Sequence, residues 1–410
     1  MGNKRVLLLC QHFYPEMVST GMHMTELSEA LQKKGLDMTV FCAQPVYDLD
    51  EWDGEIPYYL EHEGIDVHRA KTIGKHKAGL INRLIFAVSY LLQTLLFAWK
   101  NRKEFDGIVV GTNPPFLGIV TVLLNKLFGE EYILIVYDIY PEYAVRVGAL
   151  DKDSLVTKLW RWTTKRIVIN ATSNVVIGRD MKEIVKDKLD EKPTDNKICM
   201  IPNWSDEGTV KPLSEKYNYF RDELGIDDEF VVLYSGTMNK SHNLEPLLDA
   251  AELLEGEPYR FVLVGQGSNK ENLKNIATEK ELSNVQFLQF QPKEKLPDVL
   301  ASCDISVVCL DKQYTGLSVP SKTYGIMAAG RPVLAFLEEE SEIGLAVNES
   351  ECGIVMEHPT GETVAQKIRE LDQDEDTLES MSKNSYEAFK ENYTLEKSSA
   401  KYFDLISSKF

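Results

Sequence analysis

Ser321 and Lys322 stand where a polar, glycine-containing turn opens a short helical pattern, in the run Gly316-Leu-Ser-Val-Pro-Ser-Lys-Thr-Tyr-Gly-Ile-Met-Ala-Ala-Gly-Arg-Pro-Val333. A β-like stretch, Ile305–Leu310, precedes the turn, and another, Pro332–Phe336, follows the helix. Backbone N–H groups at a helix start, with a hydroxyl and an ammonium beside them, suit a diphosphate. Ser318, Val319 and Pro320 lead into this turn, and Pro320 lies close to the first helical turn, where its missing N–H costs nothing. The plainer reading is a strand–helix–strand unit capped by a serine.

Two further turns repeat the arrangement. After the strand-like Val231–Ser235, Gly236 allows close backbone approach, and Thr237, Lys240 and His242 follow before a helix expected over Leu244–Leu254. After Leu7–Cys10, the residues Ser19, Thr20 and Gly21 precede a helix expected over Thr25–Lys34. A fourth turn, Gly265-Gln-Gly267, lacks the third glycine of a dinucleotide fingerprint and by itself carries little. Asp138 ends the strand-like Tyr132–Tyr137, with Glu142 four residues later. Such carboxylates can take a proton from a hydroxyl or bind it; equally, Asp138 can cap a helix beginning near Pro141. His12 and His23 read as structural histidines. No His, Asp or Glu grouping has metal-ligand spacing, so metal-independent chemistry without a cofactor is expected.

The elements that must position these residues are stacked βα units. Short β-branched runs alternate with helical patterns from end to end, and many are apolar throughout, as strands covered on both faces should be. At 410 residues two cores are expected. The alternation pauses between Asn203 and Asp228, which predicts domains at 1–205 and 206–390 facing each other across a cleft. A helix over 391–410 without a strand partner is expected to pack back on the first domain. The net charge of −19 argues against general nucleic-acid binding. Six scattered cysteines read as buried thiols of a cytoplasmic protein, and Gln11-His12 interrupts the N-terminal apolar run too soon for a signal peptide.

Taken in order, these segments resemble the family 4 glycosyltransferases. The resemblance is carried by Tyr14-Pro15 to Gly21, Ile201-Pro-Asn203, Gly236-Thr-Met238, Leu263-Val-Gly-Gln-Gly267, Phe287-Leu-Gln-Phe290 and Ala328-Ala-Gly-Arg-Pro-Val333. It implies the GT-B fold, two Rossmann-like α/β domains, and transfer with retention of anomeric configuration. A narrower likeness is to the subgroup of surface-polysaccharide N-acetyl-L-fucosamine transferases, through Asn113-Pro-Pro115, Tyr137-Asp-Ile-Tyr-Pro-Glu142, Val147-Gly-Ala-Leu150 and Val319-Pro-Ser-Lys322. It implies a UDP-sugar donor, carrying an N-acetylated hexosamine or deoxyhexosamine, and a polyprenyl-diphosphate-linked saccharide acceptor.

On that reading the second domain holds the donor: Gly236, Ser321 and Lys322 at the diphosphate, Lys240 and His242 as helpers, Gly265, Gly267 and Phe290 near the base. Ser19, Thr20 and Gly21 approach from the first domain, and Asp138 and Glu142 serve the acceptor. The chain departs from the family pattern at Leu317 and Gly325, where glutamates are usual, and at Thr237 and His242, where Arg and Lys are usual. A UDP-sugar epimerase of the same fold and a non-catalytic nucleotide-sugar-binding scaffold are the alternatives.

Against the acidic background, residues 68–103 combine basic flanks with an apolar core from Leu84 to Trp99. An interfacial helix lying on an anionic membrane surface, at the inner face of the cell membrane, fits that pattern. So does a helix buried against the sheet; a full transmembrane helix fits less well, since the core falls short of the ~20 residues a span requires.

Overall fold

The computed structural model describes residues 3–16, 19–45, 56–73, 79–189, 197–213 and 219–410. The basic residues Lys75, His76 and Lys77 of the expected membrane segment lie outside the described residues. Two compact units form: Met1–Pro202 with Leu395–Phe410, and Asn203–Thr394.

The first unit is built on strands β1 (Arg5–Leu9), β2 (Asp37–Cys42), β3 (Tyr59–His62), β4 (Ile65–Arg69), β5 (Gly107–Gly111), β6 (Tyr132–Val136), β7 (Ser173–Val176) and β8 (Ile198–Met200). They form one sheet in the order β3-β4-β2-β1-β5-β6-β7-β8. Every residue of β5 and β6 is buried, the mark of strands covered on both faces. Its helices are α1 (Ser19–Lys33), α2 (Gly79–Asn101), α3 (Gly118–Phe128), α4 (Glu142–Arg146), α5 (Leu155–Asn170) and α6 (Arg179–Asp187). Right-handed crossovers place α1, which moves from β1 out to β2, on one face of the sheet. The same rule places α2, α3 and α5, which step the other way along the order, on the opposite face.

The second unit has strands β9 (Phe230–Ser235), β10 (Tyr259–Val264), β11 (Val285–Leu288), β12 (Ile305–Cys309), β13 (Val333–Phe336) and β14 (Gly353–Val355), all parallel, in the order β11-β10-β9-β12-β13-β14. Its helices are α7 (Tyr219–Leu224), α8 (Glu245–Leu253), α9 (Lys270–Glu279), α10 (Leu296–Ala301), α11 (Lys322–Ala328), α12 (Glu342–Ser350), α13 (Gly361–Asp372) and α14 (Glu375–Asn392). The last helix, α15 (Leu395–Lys409), returns to the first unit and packs on α1, where Lys34 Nζ donates to Glu396 Oε1 at 2.7 Å.

Two local expectations change. Helix α1 begins at Ser19 instead of Thr25, so Ser19, Thr20 and Gly21 form its first turn. A Cβ on Gly21 would collide with the Glu16 carbonyl oxygen, and glycine at that spot lets the helix run in against the preceding loop. Strand β3 was not foreseen. It is an antiparallel edge strand joined to β4 through Glu63 and Gly64, both at positive φ, and its polar Tyr-Leu-Glu-His sequence hides it from an apolar search.

Candidate active site

In the second unit, β9 ends at Gly236, whose φ of 148° is reserved for glycine. The turn it starts packs backbone to backbone on the turn after β10. Gly236 N donates to Val264 O at 2.9 Å, Met238 N to Gln266 O at 2.8 Å, and Asn269 N to Met238 O at 2.9 Å. A Cβ on Gly265 would strike the Gly236 carbonyl, and one on Gly267 the Met238 carbonyl. The glycines of Gly265-Gln-Gly267 thus let two loops lie in contact, a sufficient physical reason for both. Lys270, buried at the start of α9, donates its Nζ to Gly265 O and Leu288 O, each at 2.6 Å, and ties the two loops to β11. Sequence reasoning missed this lysine, because a cation three residues past a glycine turn looks like solvated surface.

Lys322 reaches into the loop made by Gly236. Its Nζ is buried without a hydrogen-bond partner among the described residues and lies 3.9 Å from the centroid of the Tyr234 ring. A Cβ on Gly236 would come within 2.5 Å of that Nζ. Burial lowers the Lys322 pKa to about 8. His242 stands close by, its pKa lowered to about 3 by burial and by the charge of Lys322. Its Nδ1 accepts from Asn239 N at 3.3 Å in a capping box, so the neutral ring braces the turn 239–242. Thr237 and Lys240 are exposed on that turn, and Phe290 is exposed just beyond β11.

The helix after Lys322 differs from the expected anion seat. It has seven residues, Ser321 makes no side-chain cap, and the Thr323 and Tyr324 amides already donate to Pro320 O and Ser321 O. The lysine side chain, rather than a row of free amides, is what this segment offers an anion. Ser318, Val319 and Pro320, in the segment leading to it, are half-buried. Leu317 is buried, and Gly325 has space for a side chain: the nearest atoms to a Cβ there are Leu300 Cδ1 at 3.9 Å and Ser205 Oγ at 4.0 Å.

In the first unit, Asp138 follows β6. Its backbone N–H donates to Thr112 Oγ1 at 3.3 Å, whereas its carboxylate makes no hydrogen bond among the described residues. Burial raises its pKa to about 6. It does not cap α4, whose N-terminal residue Pro141 has no side-chain cap. A small cavity under the turn is lined by Gly111, Thr112, Val136, Asp138, Tyr140 and Lys188 among others. Beside it Tyr140 stacks on Trp160 with centroids 5.6 Å apart, and Phe116 meets Trp160 at a tilt of 35° with centroids 4.4 Å apart. Glu142 has a different fate: Arg161 Nε lies 3.3 Å and Lys188 Nζ 3.1 Å from its two oxygens. Both oxygens of Glu142 are thus engaged by cations, whereas the Asp138 carboxylate makes no hydrogen bond among the described residues.

Near the start of α1, Asn113 Nδ2 donates to Thr20 Oγ1 at 3.2 Å, and Ser19 is exposed. His12 Nδ1 and Glu16 Oε2 are 2.6 Å apart, with the Glu16 side chain buried. This pair was also missed; the signal was a histidine four residues before a glutamate in the loop leading to a helix. Among the described residues no three His, Cys, Asp or Glu side chains are grouped so as to hold a metal ion.

The two parallel-sheet units and the helix that returns to the first define the GT-B fold. Sucrose-phosphate synthase from Thermosynechococcus elongatus superposes with a TM-score of 0.79 at 17% identity, over 99% of both chains. Anabaena HepE, solved in complex with UDP, superposes with a TM-score of 0.73 at 14% identity, over 98% of this chain and 100% of its own. Residues 20–204 match the glycosyl transferase 4-like domain, and residues 216–388 match glycosyl transferases group 1. Among curated proteins, the Pseudomonas aeruginosa "Probable glycosyltransferase WbjE" is 28% identical over 364 residues, 88% of this chain and 87% of its own. The Escherichia coli protein WcaI, named for colanic acid biosynthesis as a glycosyl transferase, is 25% identical over 350 residues, 83% of this chain and 85% of its own. The chain is a glycosyltransferase.

Proposed function

We propose that this glycosyltransferase moves a sugar, with retention, from a UDP-sugar to a lipid-linked saccharide during surface-polysaccharide assembly. The observation that carries the donor half is Lys322: a buried ammonium without a hydrogen-bond partner among the described residues, seated in the space that the missing side chain of Gly236 leaves. A buried charge of this kind is costly until an anion meets it, and a leaving diphosphate is such an anion. Charge that develops on the leaving group then meets a preorganised cation. The UDP held by HepE supports the choice of nucleotide, and the name of WcaI supports the polysaccharide setting.

On the acceptor side, Asp138 is the group suited to hold the attacking hydroxyl or take its proton, and the adjoining Tyr140, Trp160 and Phe116 offer flat apolar faces to a sugar ring. Glu142 orders this corner through its two cations. An N-acetylated hexosamine or deoxyhexosamine is the sugar favoured by the likeness of 137–150 to the fucosamine transferases. Placement at the inner face of the cell membrane, through residues within 68–103, belongs to the same proposal.

The test is release of UDP from a panel of UDP-sugars with and without a polyprenyl-diphosphate-linked saccharide, and proton NMR of the product anomer. Acceptor-dependent release with retained configuration is expected. Release that ignores the acceptor, or an inverted product, overturns the reading.

A further inference from the structure

Helix α2 lies flat along the first unit. Phe86, Tyr90, Thr94 and Ala98 are buried at a four-residue spacing, and Tyr90 donates its hydroxyl to Cys10 O at 2.6 Å. The stretch Ile81–Glu104 is the one helix among the described residues long and apolar enough to cross a membrane, yet this face is occupied by the sheet. The other face is exposed: Ile81, Leu84, Val88, Leu92, Leu96 and Trp99 all stand open. An amphipathic helix normally turns charge, not leucine, to water.

The exposed apolar surface does not stop at α2. Helix α3 touches α2 on one side and α5 on the other. It adds Leu123, Phe128 and Leu127, the last 69% exposed. Helix α5 adds Leu155 at 84%, Leu159 at 64% and Trp162 at 57%, with Val156 beside them. Patches of this extent mark a docking surface.

Charge decides what docks. In a chain of 64 acidic residues and net charge −19, helices α2, α3 and α5 contain no Asp or Glu at all. Their charged residues are Arg83 and Lys100 on α2, Lys126 on α3, and Lys158, Arg161, Lys165 and Arg166 on α5. Arg102 and Arg166 lie over the rings of Phe128 and Trp162, 4.7 and 5.5 Å from their centroids. A second copy of the chain would set these cations against themselves. Leucine, tryptophan and lysine on three helices that carry no acids of their own match the apolar interior and anionic headgroups of a bilayer.

We propose that α2, α3 and α5 together form one anionic-bilayer-binding face, with α5 as a second anchor outside residues 68–103. It rests on the reading of a lipid-linked acceptor and extends it. Asp138 and the Tyr140–Trp160 stack adjoin α5, so this face would hold the acceptor turn close to the headgroup layer.

The experiment is flotation of the full chain with phosphatidylcholine vesicles, with and without phosphatidylglycerol, for the wild type, Val88→Glu/Leu92→Glu on α2, Leu159→Glu/Trp162→Glu on α5, and the milder Lys158→Gln/Arg166→Gln. Expected is salt-sensitive binding to the anionic vesicles, lost about tenfold or more by each glutamate pair and reduced by the glutamine pair, with UDP binding unchanged in all. Flotation of the α5 variants at wild-type levels overturns the proposal, as does wild-type failure to float or a dimer that Leu159→Glu/Trp162→Glu dissolves. Vesicle binding without transfer to any lipid-linked saccharide supports the face and overturns the acceptor reading.

Discussion

A Cβ placed on Gly236 would sit 2.5 Å from Nζ of Lys322, so the glycine and the lysine occupy one another's only space. The absent side chain at one position is what makes room for the buried charge at the other.

Gly236→Ala should therefore act twice. The backbone at φ 148° becomes strained, costing about 1–3 kcal/mol in denaturant unfolding, and the methyl group displaces the Lys322 ammonium. UDP affinity by calorimetry should fall with stability. Unchanged affinity in a folded Gly236→Ala protein would remove the glycine from the site.

Lys322→Met should separate stability from function. Losing hydrogen bonds to a charged group, about 1.5–3 kcal/mol, predicts UDP affinity lower by about 10–100-fold. The buried cation without a hydrogen-bond partner among the described residues also disappears, and each kcal/mol so recovered raises Tm by about 2–4 °C. A fall in Tm would show that the ammonium stabilises the free protein.

The same lysine predicts a pH effect. Its folded pKa, about 8, lies below its ordinary 10.5. Its stability contribution is therefore present above about pH 10.5 and lost as pH falls through 8. UDP affinity runs the other way, since the charged form binds, and should decline as pH rises through about 8. Lys322→Met should abolish both trends in titrations across pH 6–10.

Asp138 carries the opposite shift, to about 6 from 3.8. The stability it contributes is fully present below about pH 3.8 and lost as pH rises through 6. Transfer that needs the carboxylate should rise with pH through about 6, and Asp138→Asn should lower kcat and erase that inflection. Retention of the inflection in the variant assigns it to another group.

Glu142→Gln should behave differently from Asp138→Asn. Loss of partly exposed pairs with Arg161 and Lys188 predicts a cost of about 1 kcal/mol or less, with the acidic inflection intact. A shifted inflection would return Glu142 to the reaction.

Much of the fold was written in local pattern. Runs such as Gly107–Gly111 and Tyr132–Val136 are apolar throughout because both faces of those strands are covered, and that requirement acts at each residue. Strand β3 escaped the same search because an edge strand needs only one apolar side. Gly236 stood out in the sequence by its place after a strand, whereas the loop contacts that require Gly265 and Gly267 appear only in the fold.

The fates of the charged side chains were not written there, because solvation and partners come from distant parts of the chain. Asp138 and Glu142 are the same kind of residue four positions apart. Folding leaves the Asp138 carboxylate half-buried without a hydrogen-bond partner among the described residues and brings Arg161 and Lys188 to Glu142. Lys322 stands out in the sequence as a cation at a turn, but its burial over the Tyr234 ring depends on β9 and the glycine turn that follows it. The acid-free helices α2, α3 and α5 are separated in sequence by strands β5 and β6, and right-handed crossovers set them on the same side of one sheet with α3 touching the other two. Residue type and spacing, being local, set the strands, the turns and the class of enzyme. Which charges are paired, buried or gathered on one face depends on neighbours that folding alone supplies.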